Sequence, residues 1–253
     1  MNFHIYGKGF GLYGYFSALA KNRHCRIFVN EKYYKFIKSR KELNKNINKI
    51  NFVKKHIVKK KDFIIYARRP IDQHNFLKKN ATRKNYFFLE KPVSNNIKNS
   101  KKIINFLIKK KINFSVGYLF LYASWYNRLL KISKKKNLKK IIINWNFSSV
   151  NKSESWKRKS MEGGGIINFY GIHIFALISF LKFNNLNFSN IYKKNKIENI
   201  WVAEFSNKDN VKFIIKLNIN SKQTNFKILY NLNKKNIYQK ILFNNKYPFI
   251  SKN

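Results

Sequence analysis

The chain has 253 residues, of which 44% are hydrophobic; this is enough apolar material for a packed core and excludes a disordered protein. Its formal net charge is +44, because 54 lysines and arginines outnumber 10 acidic residues. A single cysteine, Cys25, excludes an intramolecular disulfide and fits a reducing, cytoplasmic setting, which is where we expect the protein.

The high positive charge has two interpretations. It can mark a protein that binds nucleic acid or an anionic membrane surface. It can also follow from A+T-rich coding DNA, because lysine, asparagine, isoleucine, phenylalanine and tyrosine are all abundant together. The basic clusters at residues 59–61, 109–111 and 134–136 lie between apolar positions, which favours a solvated surface. We therefore expect no specific nucleic-acid partner. The longest apolar run, residues 166–181, is interrupted and short, so no membrane partner is expected either.

The first half of the chain alternates short β-rich runs with helical patterns, which is typical of a parallel sheet with crossover helices. Strands are predicted at residues 3–6, 25–29, 63–67, 86–89 and 114–117. Helices are predicted at residues 13–21, 72–80 and 96–110. The sequence therefore predicts an α/β domain over residues 1–117, with a doubly wound parallel sheet of the Rossmann type.

The alternation of strand and helix patterns changes after Gly117. A helix is predicted at residues 125–134, a strand at residues 140–147 and, after three consecutive glycines, a buried helix at residues 166–181. Alternating runs predict an antiparallel meander with strands at residues 200–205, 211–219, 226–230 and 237–243. We expect a second, α+β domain over residues 118–253 with an open, mainly antiparallel sheet.

A glycine-rich turn directly follows the first strand and opens a helix. Glycines are needed in such a turn because backbone amides at the helix N-terminus must come close to a pyrophosphate. The spacing is G-x-G-x-G, so a leucine stands in the slot of the usual third glycine. The pattern predicts a dinucleotide site formed by Gly7, Gly9, Phe10, Gly11 and Leu12.

The end of the second strand is where an acidic residue normally accepts hydrogen bonds from the adenosine ribose. Asn30 and Glu31 occupy this region. Glu31 favours NAD, whereas Asn30 with Lys32 tolerates the extra phosphate of NADP. The sequence leaves both cofactors open.

Three further blocks follow in order. Residues 64–74 read I-I-Y-A-R-R-P-I-D-Q-H, a strand running into a helix. Residues 90–92 read E-K-P directly after the predicted strand at residues 86–89. Residues 156–173 contain Trp-Lys-Arg-Lys, three glycines and Gly-Ile-His. In these blocks the chain resembles the Gfo/Idh/MocA oxidoreductases, the family of glucose-fructose oxidoreductase and inositol dehydrogenase, and the similarity runs over most of its length.

The resemblance implies a role for each block. Lys91 and His173 are expected to face the substrate carbon over a nicotinamide and to share proton transfer, because a partly desolvated lysine can exchange a proton near neutral pH. Alone, Lys91 could be a surface lysine and His173 a core histidine; their motifs favour the catalytic roles. The further contacts with NAD or NADP are expected from Ala67, Arg69, Pro70, His74, Glu90 and Lys91. The substrate contacts are expected from Tyr118, Trp156, Arg158, His173 and one of Asn168 and Tyr170, because helical geometry puts these last two on different sides. For Tyr118, packing at the hinge is an equally good interpretation.

The chain also departs from the family. Phe169 stands where the family has an aspartate four residues before the histidine, and Ala176 where a second aspartate is common. We expect an NAD(P)-dependent oxidoreductase acting on a small carbohydrate, such as a sugar, sugar phosphate or nucleotide sugar, in bacterial carbohydrate biosynthesis. The alternative is a catalytically impaired relative that binds the dinucleotide as a sensor or scaffold. A homo-oligomer through the second sheet is a further implication, although the second domain is short.

Overall fold

The computed structural model describes residues 1–148, 155–194, 197–233, 235–241, 243–244 and 247–251. The chain divides into two compact units, Met1–Gly117 and Tyr118–Asn253. Among the described residues, no helix has both the length and the apolar character needed to cross a membrane.

The first unit is built on a six-stranded parallel sheet. Its strands are β1 (Asn2–Tyr6), β2 (Arg26–Asn30), β3 (Ile50–Val53), β4 (Phe63–Tyr66), β5 (Tyr86–Leu89) and β6 (Asn113–Val116). They lie in the order β3-β2-β1-β4-β5-β6. Ile5 of β1 pairs with Val29 on one side and Ile65 on the other, so the first strand lies at the centre. This is the strand order of doubly wound dinucleotide-binding sheets, and the predicted fold class is confirmed.

Helices cover both faces of this sheet. A π-helical turn at Gly11–Phe16 continues into α1 (Ser17–Leu19). The other α-helices of the unit are α2 (Tyr34–Lys38), α3 (Lys41–Asn44), α4 (Pro70–Asn80) and α5 (Ile97–Lys109). Two short 3-10 segments lie at Glu31–Tyr33 and Ile47–Lys49. Alternation along the strands sends Ile5 and Ile65 into one core and Ile64 and Tyr66 into another, because successive strand side chains point to opposite faces.

The prediction for this unit omitted one strand. Ile50–Val53 is a four-residue edge strand that pairs only with β2 in the described structure. Only Ile50 is buried in it, so the apolar alternation that would reveal a strand is weak.

The second unit packs helices against a mixed sheet. Its helices are α6 (Ser124–Ser133) and α7 (Ile172–Phe180), the latter entered through a π-helical turn at Ile166–Gly171. The main strands are β7 (Leu138–Ser148), β8 (Asn185–Lys194), β9 (Ile197–Ser206), β10 (Lys212–Ser221), β11 (Asn225–Leu232) and β12 (Lys235–Ile241). Three 3-10 segments lie at Leu119–Tyr122, Trp156–Arg158 and Ser160–Glu162. A separate hairpin joins β13 (Phe243–Asn244) to β14 (Tyr247–Ser251).

The sheet order is β12-β11-β7-β10-β9-β8, and all neighbours are antiparallel except β7 and β10. The open, mainly antiparallel sheet is confirmed, but the predicted continuous meander is wrong. β10 and β11 are consecutive in sequence but do not pair with each other, because β7 lies between them. Strand β8 was not predicted; it is an edge strand without a buried face in its described residues. The predicted strand at residues 237–243 includes residue 242, which lies outside the described residues.

The core of the second unit confirms the buried helix predicted at residues 166–181. Ile166, Ile174 and Leu177 are fully buried. They belong to one cluster with Trp145 and Trp201 of the sheet. The helix is therefore apolar because one sheet face covers it, as expected for a buried helix.

Candidate functional site

The glycine turn lies at the carboxyl end of β1, where the chain passes between two central strands. Gly7 has a φ of +132°, a conformation that L side chains rarely adopt. A Cβ on Gly7 would lie 2.1 Å from the carbonyl oxygen of Ala67, which follows β4. The Ala67 amide in turn donates to the Tyr6 carbonyl at 2.7 Å. The turn is thus packed directly on the end of β4, at the point of the sheet where strand order reverses.

The other residues of the turn divide between open space and core. A Cβ on Gly9 would meet no atom within 4 Å, so the backbone there borders open space. The Phe10 ring covers Gly14, where a Cβ would lie 2.5 Å from it. Leu12 is fully buried in the core. Leu12 was predicted as a cofactor contact; its side chain packs inside the unit, so only its backbone remains available for that role.

The residues predicted at the ribose lie at the end of β2. Asn30 caps the 3-10 segment: its Oδ1 accepts from the Lys32 amide at 3.2 Å, and its Nδ2 donates to the Lys54 carbonyl at 2.7 Å. Glu31 is exposed. Of the two side chains, Asn30 is committed to the local backbone, whereas Glu31 faces solvent.

The predicted cofactor residues in the strand-to-helix segment at residues 64–74 lie in different environments. Arg69 is exposed and occupies the N-cap position of α4 without a side-chain capping hydrogen bond, and the buried Pro70 lies in the first turn. His74 lines a cleft between α4 and α5. Its neighbour Gln73 reaches the turn after β5, donating from Nε2 to the carbonyls of Val93 at 2.7 Å and Glu90 at 3.3 Å. Gln73 is therefore an α4 side chain that contacts this turn, whereas His74, which was predicted as a cofactor contact, lines the cleft.

The turn after β5 is an enclosed polar feature of the first unit. Lys91 is 8% exposed and is joined to Pro92 by a cis peptide bond. The Glu90 amide donates to the Tyr66 carbonyl at 2.9 Å. The turn is thus anchored to β4 by its backbone and to α4 through Gln73.

Tyr15 connects the glycine-turn helix to the turn after β5. Its hydroxyl donates a short hydrogen bond to Oε1 of Glu90. Burial, and then the Glu90 carboxylate, raise the pKa of Tyr15 far above its ordinary range, so the phenol stays protonated and remains a donor. A Cβ on Gly117 would lie 2.6 Å from this hydroxyl, which explains the glycine at that position. The predicted pyrophosphate turn and the predicted catalytic turn are therefore linked by one hydrogen bond.

In the second unit, the glycine block packs against the Trp156–Arg158 turn. A Cβ on Gly164 would lie 2.1 Å from the Trp156 carbonyl oxygen. Gly165 has a φ of +82°, and the next amide, that of Ile166, donates to Oε2 of Glu198 at 3.0 Å. The block thus allows the turn to pack against the start of the helix, and the Glu198 carboxylate caps that helix.

The predicted substrate residues of this unit mostly make internal contacts. Asn168 donates from Nδ2 to the Ser160 carbonyl at 3.4 Å. Tyr170 is 6% exposed, and burial raises its pKa to about 12 in spite of nearby Arg158. Trp156 stands edge-on to Phe169, with ring centroids 5.4 Å apart. An aromatic cluster therefore occupies the position where the resembling family has its aspartate.

His173 and Tyr118 lie deeper than a solvent-facing site requires. His173 is 1% exposed, and its ring stacks on Phe120 with centroids 4.7 Å apart. Tyr118 is half-buried, and burial raises its pKa. The proton-transfer role of His173 stays a prediction, and the packing of its ring calls for a test separate from that of Lys91.

Sequence reasoning missed three residues: Tyr15, Gln73 and Glu198. Each contributes a hydrogen bond between elements that are distant in sequence, as from Tyr15 to Glu90 or from Ile166 to Glu198. Only Tyr15 had a local signal, since it follows the glycine turn by one helical turn.

Comparison with known proteins establishes the fold. No protein-family model matches the sequence, and no curated protein matches it. Among solved structures, the dehydrogenase MviM from Clostridium difficile superimposes with a TM-score of 0.75 at 13% identity, covering 94% of this chain and 76% of that one. A myo-inositol dehydrogenase from Corynebacterium glutamicum gives a TM-score of 0.70 at 12% identity, with coverage of 96% and 75%.

A third similar structure is the WlbA (WbpB) dehydrogenase from Thermus thermophilus, in complex with NAD and UDP-GlcNAcA. Its TM-score is 0.66 at 12% identity, with 94% of this chain and 83% of that chain covered. At such identities the likeness shows the fold alone. The chain has the fold of Gfo/Idh/MocA-type dehydrogenases, as its motifs predicted.

Proposed function

We propose that the protein is an NAD(P)-dependent oxidoreductase that moves a hydride to or from a hydroxyl or carbonyl carbon of a sugar, sugar phosphate or nucleotide sugar in bacterial carbohydrate biosynthesis. The observation that carries this proposal is the glycine turn, packed on the end of β4 one strand away from Glu90-Lys91-Pro92. The NAD and UDP-GlcNAcA bound to a protein of the same fold support both the cofactor and the substrate class.

The first unit fits a dinucleotide. The open space beside Gly9 leaves room for phosphate oxygens near backbone amides, and glycine is the residue that permits this approach. Exposed Glu31 follows β2, where a ribose hydroxyl is expected. A bound nicotinamide would supply or accept the hydride.

Lys91 is the proposed acid–base group. In the oxidative direction its amine takes the proton of the substrate hydroxyl as the hydride leaves the carbon; in the reductive direction it returns that proton to the carbonyl oxygen. Backbone anchoring of the Glu90-Lys91-Pro92 turn would keep the amine in place, since small displacements of a catalytic group reduce the rate. His173 is proposed to share this proton transfer, and Arg158 to bind an anionic substrate group.

Fluorescence titration with NADH and NADPH, followed by turnover assays on nucleotide sugars, tests the proposal. Lys91→Ala should reduce turnover by at least about 100-fold, the lower range for general acid–base catalysis, and should weaken nucleotide binding far less, because Lys91 is one of many expected cofactor contacts. Lys98→Ala is the matched control, because Lys98 is exposed on α5. Failure of the wild-type protein to bind either nucleotide would refute the proposal.

The second candidate function is a dinucleotide-binding relative that lacks catalysis. Phe169, packed against Trp156 and Tyr170, favours it, because no carboxylate can act from that position. Nucleotide binding without hydride exchange across the same substrate panel would identify this second function.

We also propose self-association through the outer face of the second sheet. Leu229, Ile142 and Ile214 are half-buried and in register on β11, β7 and β10, so they form a short apolar row, which ends at Glu204 of β9. Such a row is more apolar than a strand face that meets only water.

A further inference from the structure

A cleft of about 150 Å³ lies between α4 and α5 in the first unit. Its apolar lining consists of Leu77, Ile103 and Phe106. Leu77 and Ile103 are buried, whereas Phe106 is half-buried. The cleft therefore offers a compact apolar floor on the surface of the unit.

The polar lining of the cleft is basic. Lys78 of α4 and Lys102 of α5 both contribute to it, and no acidic residue is among the lining residues in the described part of the chain. Burial lowers the pKa of His74, and the two ammonium groups lower it further, so both cations act on the same point. Two like charges that converge without a counter-ion create a positive potential that attracts an anion.

His74 adds an unmet hydrogen-bonding need. Its Nδ1 is shielded from solvent and has no hydrogen-bond partner among the described residues. A buried ring nitrogen without a partner is unfavourable, and such groups in native proteins call for an explanation. Asn99, the remaining lining residue, lies on the opposite helix, and its Nδ2 donates to Asn95 Oδ1 at 3.1 Å.

We propose that this cleft binds a small phosphate monoester, with its phosphate between Lys78 and Lys102 and its apolar part on Leu77, Ile103 and Phe106. The size decides the class of ligand. A cavity of about 150 Å³ holds a ring of benzene size. Sites for larger ligands have volumes of about 300–1,000 Å³. The cleft is therefore too small for a dinucleotide, and it is a site additional to the glycine turn.

Phenyl phosphate is a suitable probe, because it combines one ring with one phosphate. Titration of the full chain, followed by NMR of the histidine ring protons, should give saturable binding and a shift of the His74 signals, one of five histidines in the chain. Benzoate, which has the ring but a single charge, should bind more weakly by about fivefold or more. NADH affinity is measured separately, so failure here and failure of the oxidoreductase proposal are distinguishable.

A pair of charge-matched variants tests whether the binding is local. The double variant Lys78→Gln/Lys102→Gln should weaken phenyl phosphate binding by at least about tenfold, because it removes both charge-assisted contacts. The control Lys79→Gln/Lys101→Gln removes the same charge from exposed neighbours on the same helices and should change it by less than about twofold. Equal losses in the two variants, or no saturable binding by the wild-type protein, would overturn the proposal.

Discussion

At the residue scale, a buried histidine–aspartate–histidine network stands apart from the candidate site. His4 and Asp62 are 2% and 4% exposed, and His4 Nε2 lies 3.0 Å from Asp62 Oδ2. The Nδ1 atoms of His4 and His56 are 3.2 Å apart. His4 Nε2 carries a proton and donates it to the carboxylate. In a neutral His4 ring Nδ1 has no proton, so it accepts from His56 Nδ1. The contact between the two rings is satisfied while the His4 ring is neutral and His56 Nδ1 is the donor.

The network predicts a loss of stability in mild acid. Burial, then His4 and Lys32, lower the pKa of His56 to about 4. An unfolded histidine titrates near about 6.5, so the unfolded chain binds protons first. The free energy of unfolding should therefore be fully maintained above about pH 6.5 and fall as the pH drops towards 4. Urea unfolding across this range measures it.

A substitution locates the source of that pH dependence. His56→Gln keeps a donor for His4 Nδ1 but cannot titrate, so the fall in stability between pH 6.5 and 4 should become shallower. His24→Gln is the control, because His24 is exposed. A wild-type slope in the His56 variant would contradict the assignment.

At the scale of elements, two glycines of the same turn are expected to have different roles: Gly7 in stability and Gly9 in cofactor binding. Gly7→Ala should destabilise the protein by several kcal/mol, since the new Cβ would meet the Ala67 carbonyl at 2.1 Å and the φ of +132° is strained for alanine. Gly9→Ala meets no atom within 4 Å and should leave the melting temperature nearly unchanged while weakening NADH binding. Thermal unfolding and fluorescence titration of both variants provide the two readouts; unchanged NADH binding by Gly9→Ala would contradict the pyrophosphate role.

Elements with a regular periodicity of apolar residues were predictable from the sequence. Strand β5 was predicted with the observed limits, and α5 within one residue at each end, because buried residues recur in them at strand and helix spacing. Strand β8 was missed because an edge strand needs no buried face. The position of β7 between β10 and β11 was missed because strand order depends on long-range pairing, which periodicity does not encode.

In the candidate site, too, local features were predictable from the sequence and long-range contacts were not. Its turns are local, so the glycines and Glu90-Lys91-Pro92 could be recognised from sequence. The contacts that fix them are not local: Tyr15 is 75 residues from Glu90, and Gln73 is 20 residues from Val93. No sequence pattern indicated that Gln73 contacts the turn after β5.

At the scale of the whole molecule, charge should control self-association. Each chain carries a formal charge of +44, so two copies repel one another at low salt. Raising the ionic strength from about 0.01 M to 0.15 M shortens the Debye length from about 30 Å to about 8 Å, and should shift the protein from monomer towards dimer in light scattering.

Matched substitutions test which surface is used. Ile142→Lys places a charge in the middle of the proposed sheet face and should prevent the dimer. Ile108→Lys makes the same change on α5, where Ile108 is 61% exposed, and should not. Dimers that persist in Ile142→Lys would exclude this face.

Strand β8 gives the high charge a second consequence. As the last strand of its sheet, it pairs only with β9 in the described structure, and Leu186, Phe188 and Tyr192 on it are largely exposed. Unpaired edges with apolar side chains are where chains add to one another in open-ended aggregates. Mutual repulsion between highly cationic molecules opposes that growth. The lysine-rich composition would thus protect the chain from aggregation, whether or not it serves a binding partner.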